Sequence, residues 1–170
     1  MDFLTLAKER YSVRKFKSDP VPQACIDKIL AAGHAAPTAC NKQPQKILVV
    51  NTEEGLAKIR KCTECHFNAP LVLIVCTDKT LCWKRSYDGK TSGDIDAAIV
   101  TTHMMLEAKD LGLGSTWVMW FIPEAVREEF ALPEAWEPVA LLTLGYPADD
   151  AHPAHLHNEC REEDEIVSYR

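Results

Sequence analysis

Apolar residues recur along this chain at two alternating periods. Phe3, Leu6 and Ala7 stand three and one apart, which predicts a short helix ending near Arg10. Pro22 suits a first helical position, and Ile26, Ile29, Leu30 and Gly33 continue one face until Ala35, Ala36 and Pro37 break it; a second helix is predicted over 22–34. A β-branched run at 47–50 reads as a strand, and Thr52 with Glu53 and Glu54 supplies an N-cap and an acidic first turn for a helix through Arg60. Residues 71–75 are apolar without alternation, as a strand covered on both faces requires. Ile95, Ala98, Ile99, Thr102, Met105, Leu106 and Lys109 predict a long helix over 94–111, opened by acid and stopped by Gly112. A strand over 114–121, a helix over 123–130 opened by Pro123, and an apolar strand over 139–144 ending at Gly145 complete a pattern of the α+β or α/β class.

The last 25 residues, from Tyr146, hold Pro147, Pro153, three histidines and many acids, with a thin apolar signal at Ile166 and Val167. Such a segment cannot build its own core. It either stays mobile or lies across another surface, and an arm laid on a second subunit is one way to order it.

Composition narrows the classes. A length of 170 residues without repeat, low-complexity tract or Gly/Ser linker suits one domain over 1–170. Nineteen Lys+Arg against 25 Asp+Glu leave a formal charge of −6, which disfavours general binding of nucleic acid or an anionic membrane. The longest apolar runs, 71–76 and 117–122, are six residues each, short of the ~20 that span a bilayer. Asp2, Lys8, Glu9 and Arg10 surround only a very short apolar stretch, so no secretory signal is expected and the expected location is cytoplasmic. Seven cysteines, an odd number, read as thiols. Cys62, Cys65 and His66 spell C-x-x-C-H, the haem-attachment pattern, but that attachment belongs outside the cytoplasm. Zinc needs two further ligands, and the spacing of Cys76 and Cys82 does not suit it. The plainer reading is a polar helix end with two half-buried thiols and no metal site.

Two segments carry candidate chemistry. In an extended stretch Arg10, Ser12 and Arg14 share a face and can converge on one anion, although spacing alone also allows a solvated basic face. Residues 36–44 form a loop bounded by Pro37 and Pro44 and carrying Thr38, Asn41 and Gln43, donors and acceptors suited to a polyhydroxylated or heterocyclic ligand; turn chemistry alone is the alternative.

Arg-x-Ser-x-Arg-x-Phe from Arg10, Val-Pro before the second helix and Ala-Pro-Thr-Ala-x-Asn-x-Gln-Pro from Ala36 together resemble the opening of the FMN-dependent nitroreductase family. The resemblance continues through Asn68-Ala-Pro, Asp96, Leu111-Gly-Leu-Gly-Ser-Thr-Trp, Leu144-Gly-Tyr-Pro and Glu165-Ile-Val-x-Tyr, covering essentially the whole chain in order. It implies an α+β three-layer sandwich, with a mainly antiparallel central sheet and helices on both faces, in an intertwined homodimer with FMN at the interface and residues 146–170 as the arm onto the partner subunit. By the same resemblance Arg10, Tyr11, Ser12 and Arg14 hold the phosphate and the flavin's pyrimidine edge, Pro37, Thr38, Asn41 and Gln43 reach the cofactor from the other chain, backbone at Val118, Met119 and Trp120 lines the ring, and Arg161 returns to the phosphate. The chain departs from the family pattern at Met119, often glycine, at Gln45, often tryptophan, and at the C-terminal basic pair, reduced to Arg161. The implied activity is ping-pong hydride transfer from NADH or NADPH through flavin N5 to a small electron-poor acceptor such as a nitroaromatic or quinone, with no catalytic side chain demanded. Dehalogenation, alkene reduction and flavin destruction are alternatives within the superfamily; a flavin-binding redox sensor responding through Cys40 or Cys62/Cys65 is the alternative outside enzymes. Residues 82–90, with Trp83, Lys84, Arg85, Tyr87 and Lys90, are either a cover for the flavin or a plain exposed loop.

Overall fold

The computed structural model describes residues 2–170. Four antiparallel strands, β1 (Gln45–Val50), β2 (Leu71–Asp78), β3 (Gly114–Val118) and β4 (Trp136–Gly145), lie in the order β1-β2-β4-β3. Because successive side chains of a strand point to opposite faces, β2 serves two cores. Leu71, Leu73 and Val75 join Leu142 and Leu144 under the helices α2 (Gln23–Ala35) and α4 (Gly93–Asp110). Val72, Ile74 and Cys76 join Leu141 and Val118 under α3 (Glu53–Cys62) and α5 (Pro123–Glu129). The unbroken apolar run of β2 therefore has a layer of helix on either side, and the class is α+β in three layers.

Element ends differ from the pattern where local chemistry decides them. Pro22 stands outside α2 as its N-cap rather than at its first position. The Thr52 hydroxyl caps α3 by accepting the Gly55 N–H at 3.2 Å, as expected, but the helix runs on to Cys62. Strand β1 begins at Gln45, β2 continues to Asp78, and β4 starts at Trp136, passing Pro138 at an irregularity in its register where a ladder donor is dispensable. Strand β3 stops at Val118, short of the predicted 121, because the Phe121 N–H turns back to the Met119 carbonyl at 3.1 Å. Helix α4 closes with Gly112 at φ +79° and the Leu113 N–H on the Ala108 carbonyl at 2.8 Å, the Schellman arrangement that brings the chain straight into β3.

After β4 the chain turns back on its own N-terminal segment. The Lys17 N–H donates to Tyr146 C=O at 2.9 Å and the Ala148 N–H to Lys15 C=O at 3.0 Å, with Lys15 and Lys17 paired to Asp150 and Asp149. A 3₁₀ turn at His155–Asn158 meets helix α1 (Phe3–Glu9) through His157 Nε2 on Lys8 C=O at 3.1 Å. From residue 158 onward, including the short helix α6 (Glu163–Ile166), every residue is exposed.

Candidate functional site

Segment 10–14 lies along the free edge of β3. Ser12 bridges Ser115 in parallel register, the Val13 N–H donates to Ser115 C=O at 3.0 Å, and the Thr116 hydroxyl donates to Val13 C=O. The approach needs a residue without a side chain at 114, since a Cβ on Gly114 would stand 2.6 Å from Val13 Cγ2. Val13 is thereby buried, while Arg10 and Ser12 are half-buried and Arg14 is exposed. The cations divide by face: Lys15 and Lys17 are paired with carboxylates, whereas Arg10 and Arg14 make no ion pair among the described residues. Arg10, Tyr11, Lys109, Gly112 and Ser115 line a small hollow of about 70 Å³, room for part of an anion and not for a drug-sized ligand.

The loop at 37–43 is an internally tied unit. The Gln43 N–H donates to Thr38 Oγ1 at 3.0 Å, the Asn41 N–H to Thr38 C=O at 3.0 Å, and Gln43 Nε2 to Asn41 Oδ1 at 3.1 Å. Cys40, Asn41 and Gln43 all take positive φ, at 50°, 51° and 48°. Three non-glycine residues in the left-handed region within four positions is local strain of the kind that gathers at binding sites. Pro37, Asn41 and Gln43 are exposed and Thr38 half-buried. In the sequence Asp96 reads only as the opening of a helix; the structure gives it a partner. Its Oδ1 accepts the Ala39 N–H at 2.9 Å and its Oδ2 the Ser92 hydroxyl at 2.6 Å, with 1% of the residue exposed.

These two groups do not meet within one chain. Segment 10–14 sits at the C-terminal end of α4, where Lys109 Nζ lies 3.7 Å from Glu9 and shares the hollow with Arg10. Loop 37–43 hangs from Asp96 at the other end. Thirteen residues of helix separate Asp96 from Lys109, about 20 Å at 1.5 Å per residue.

Beyond β3 the chain exposes Met119 and Trp120, at 71% and 75%, while the Val118 side chain is buried in the second core. The Trp120 carbonyl is occupied by the Thr63 hydroxyl and the Met119 carbonyl by Phe121 N–H, but the Trp120 N–H has no acceptor among the described residues. Met119 to Ile122 and residues 60–64 line a cavity of about 610 Å³, which brings Cys62 of the C-x-x-C-H pattern beside Met119 and Trp120, a juxtaposition the sequence did not suggest. Met119 also faces a smaller one of about 360 Å³ with Ala98 and Trp117.

Other candidates fall elsewhere. Arg161 is exposed in the arm and does not line the hollow at Arg10. Residues 82–90 form a hairpin-like turn closed by the Lys84–Thr91 bridge and by Arg85 on Asp88 at 2.6 Å, so its guanidinium is spent internally, with Tyr87 95% exposed near its tip. Cys62 is fully buried rather than half-buried; its thiol donates to Lys58 C=O and burial pushes its pKa up to about 11. Cys65 is half-buried, as expected.

The sequence model of the nitroreductase family matches residues 7–68 and 64–146. A crystal structure of a nitroreductase family protein from Clostridium difficile 630 is 42% identical, covering 99% of this chain and 98% of that one at a TM-score of 0.94. An FMN-dependent nitroreductase from Clostridium difficile R20291 superimposes at 0.80 with 27% identity over 98% of each chain. A Methanothermobacter thermautotrophicus protein named as an NADH dehydrogenase/NAD(P)H nitroreductase is 33% identical over 165 residues, 88% of this chain and 80% of its own length. On the fold, the family match and the 42% identity across nearly the full length, the chain belongs to the nitroreductase family of oxidoreductases.

Proposed function

We propose that the protein is an FMN-dependent NAD(P)H oxidoreductase of nitroreductase type that works as a homodimer, each site built from segment 10–14 of one chain and loop 37–43 of the other. The separation of the two ligand-binding groups by the length of α4 carries this reading. One chain holds two half-sites, and a two-fold partner laid antiparallel along α4 places each half beside its complement. That helix offers the face for it: Ile95, 52% exposed, with Ala98, Ile99 and Thr102, lines an apolar groove of about 430 Å³.

The donor set fits the cofactor. Two guanidiniums that have no carboxylate partner among the described residues, with Arg14 Nη1 on the Ser12 carbonyl at 3.3 Å, and a hydroxyl suit a phosphate and the electron-rich ring edge, with Tyr11 beside them, while Thr38, Asn41 and Gln43 on a loop fixed between Pro37 and Pro44 supply groups for a polar heterocycle. The unused Trp120 N–H, between the exposed Met119 and Trp120 side chains, is a fixed donor for the ring, and Arg161 on the arm is a further cation for the phosphate. Held there, FMN would supply hydride-transfer chemistry between NADH or NADPH and an electron-poor acceptor, a nitroaromatic or a quinone. The chain binds, orients and excludes water, and no side chain need carry a proton. The names of the relatives, an FMN-dependent nitroreductase and an NADH dehydrogenase/NAD(P)H nitroreductase, support this assignment. Seven free cysteines accord with a reducing compartment, the cytoplasm.

The test is the visible spectrum of the purified protein under anaerobic conditions, before and after NADH and then NADPH. Flavin bands that bleach with either nucleotide are expected. A colourless protein that FMN cannot reconstitute rejects the proposal.

A further inference from the structure

Loop 37–43 is rigid within itself but lightly attached. Among the described residues, one hydrogen bond joins residues 38–43 to another element of the fold, from the Ala39 N–H to Asp96 Oδ1 at 2.9 Å. Asp96 is in turn oriented by the Ser92 hydroxyl at 2.6 Å and held by its own N–H on Ser92 C=O at 2.8 Å, in the first turn of α4, where a carboxylate is favoured by the helix dipole. The same helix carries the apolar face on which the second copy is placed. The loop's position is thus referenced, through a single carboxylate, to the dimer interface.

We infer that Asp96 is a positioning residue acting in trans: it fixes where the loop of its own protomer meets segment 10–14 of the opposite one. The inference rests on the composite site proposed above. With its ends held at the buried Ala36 and Pro44, the strained unit takes its remaining placement from this one hydrogen bond, and misplacement of groups that bind by geometry lowers affinity steeply.

Flavin affinity of the dimer, measured by titrating FMN into the flavin-free protein, reads this directly. Asp96→Ala is expected to raise the Kd about ten-fold or more while the dimer mass is kept, and Asp96→Asn, whose carbonyl still accepts the Ala39 N–H, to stay within about three-fold of the parent. Ala39→Pro removes the donor and leaves the carboxylate; Thr38 is already extended and Ala39 opens the 3₁₀ turn, positions a proline tolerates. It is expected to match Asp96→Ala, and it keeps the question answerable if Asp96→Ala does not fold. The decisive arm pairs differently tagged Asp96→Ala and Arg10→Ala chains. In a composite arrangement one site of the mixed dimer collects both changes and the other is intact, so half of the sites should titrate at parental affinity. A mixed dimer with no such site places both residues in one half and overturns the inference, as does unchanged affinity in Asp96→Ala or in Ala39→Pro. Parental protein that binds no FMN strikes instead at the proposed function, before any variant is compared.

Discussion

Arg10 and Arg14 gain their meaning from what surrounds them. A basic run of Arg10, Arg14, Lys15 and Lys17 reads as a solvated face until the structure sorts it, sending Lys15 and Lys17 to Asp150 and Asp149 and leaving the guanidiniums without carboxylates. Charge-assisted bonds to a phosphate are worth roughly 1.5–3 kcal/mol each. Arg10→Ala is therefore expected to weaken FMN binding by about ten-fold to about a hundred-fold, whereas Lys17→Ala, removing an exposed pair, should leave it within about two-fold. Equal effects in the same titration would mean that the segment acts only through its general charge. The cysteines separate by the same logic. Burial lifts Cys62 to about 11 and Cys76 to about 12, while Cys40 and Cys160 are exposed. Because the thiolate is the reactive form, both thiols stay in their unreactive protonated state at mildly alkaline pH. Alkylation of the native protein followed by peptide mass mapping should reach Cys62 and Cys76, buried within one chain, only after unfolding. Native labelling of Cys62 would show that the end of α3 opens readily.

The elements show which signals were local. Helix α4 was legible because its period, acidic start and Gly112 stop all lie within about twenty residues, and β2 because both of its faces are apolar. The end of β3 was not: residues 117–122 are all apolar, and what stops the strand is a backbone turn at Met119, with Trp120 held by Thr63, 57 positions away. The spacing of Arg10, Ser12 and Arg14 could be read because a strand presents alternate residues together, yet the tether from Asp96 to Ala39 crosses 57 positions and leaves no periodic trace. Helix α4 also makes a prediction of its own. One face packs on the sheet through Ala97, Val100, Met104 and Ala108, and beside it Ile95 is exposed while Ala98 and Ile99 are half-buried in a single chain. Ile95→Glu places a charge on that face without touching the core, so the monomer's melting temperature should change little while light scattering shows dissociation. A dimer of full mass that still binds FMN would put the interface elsewhere.

At the scale of the molecule, the arm divides: its first part lies on the chain's own N-terminal segment, and the stretch from residue 158 is the part the chain itself does not use. Residues 146–151 are committed to the N-terminal segment by backbone bonds and ion pairs, and His157 packs edge-on against Tyr11 while holding Lys8 C=O. Beyond them Ile166 and Tyr169 are exposed at 67% and 87%, an apolar investment that earns nothing in one protomer. The family match itself ends at residue 146. A segment without contacts of its own contributes to stability only through a partner, so deleting residues 159–170 should leave the helical signal and the fold intact while costing the dimer and, because each site needs both chains, the bound flavin. The cut is placed after Asn158 so that the ties through Lys15, Lys17 and His157 survive and any loss belongs to the exposed stretch. Sedimentation and the flavin absorbance of the same sample measure the two consequences together. A shortened chain that remains a yellow dimer would separate the arm from the site and leave the face of α4 as the sole support for pairing.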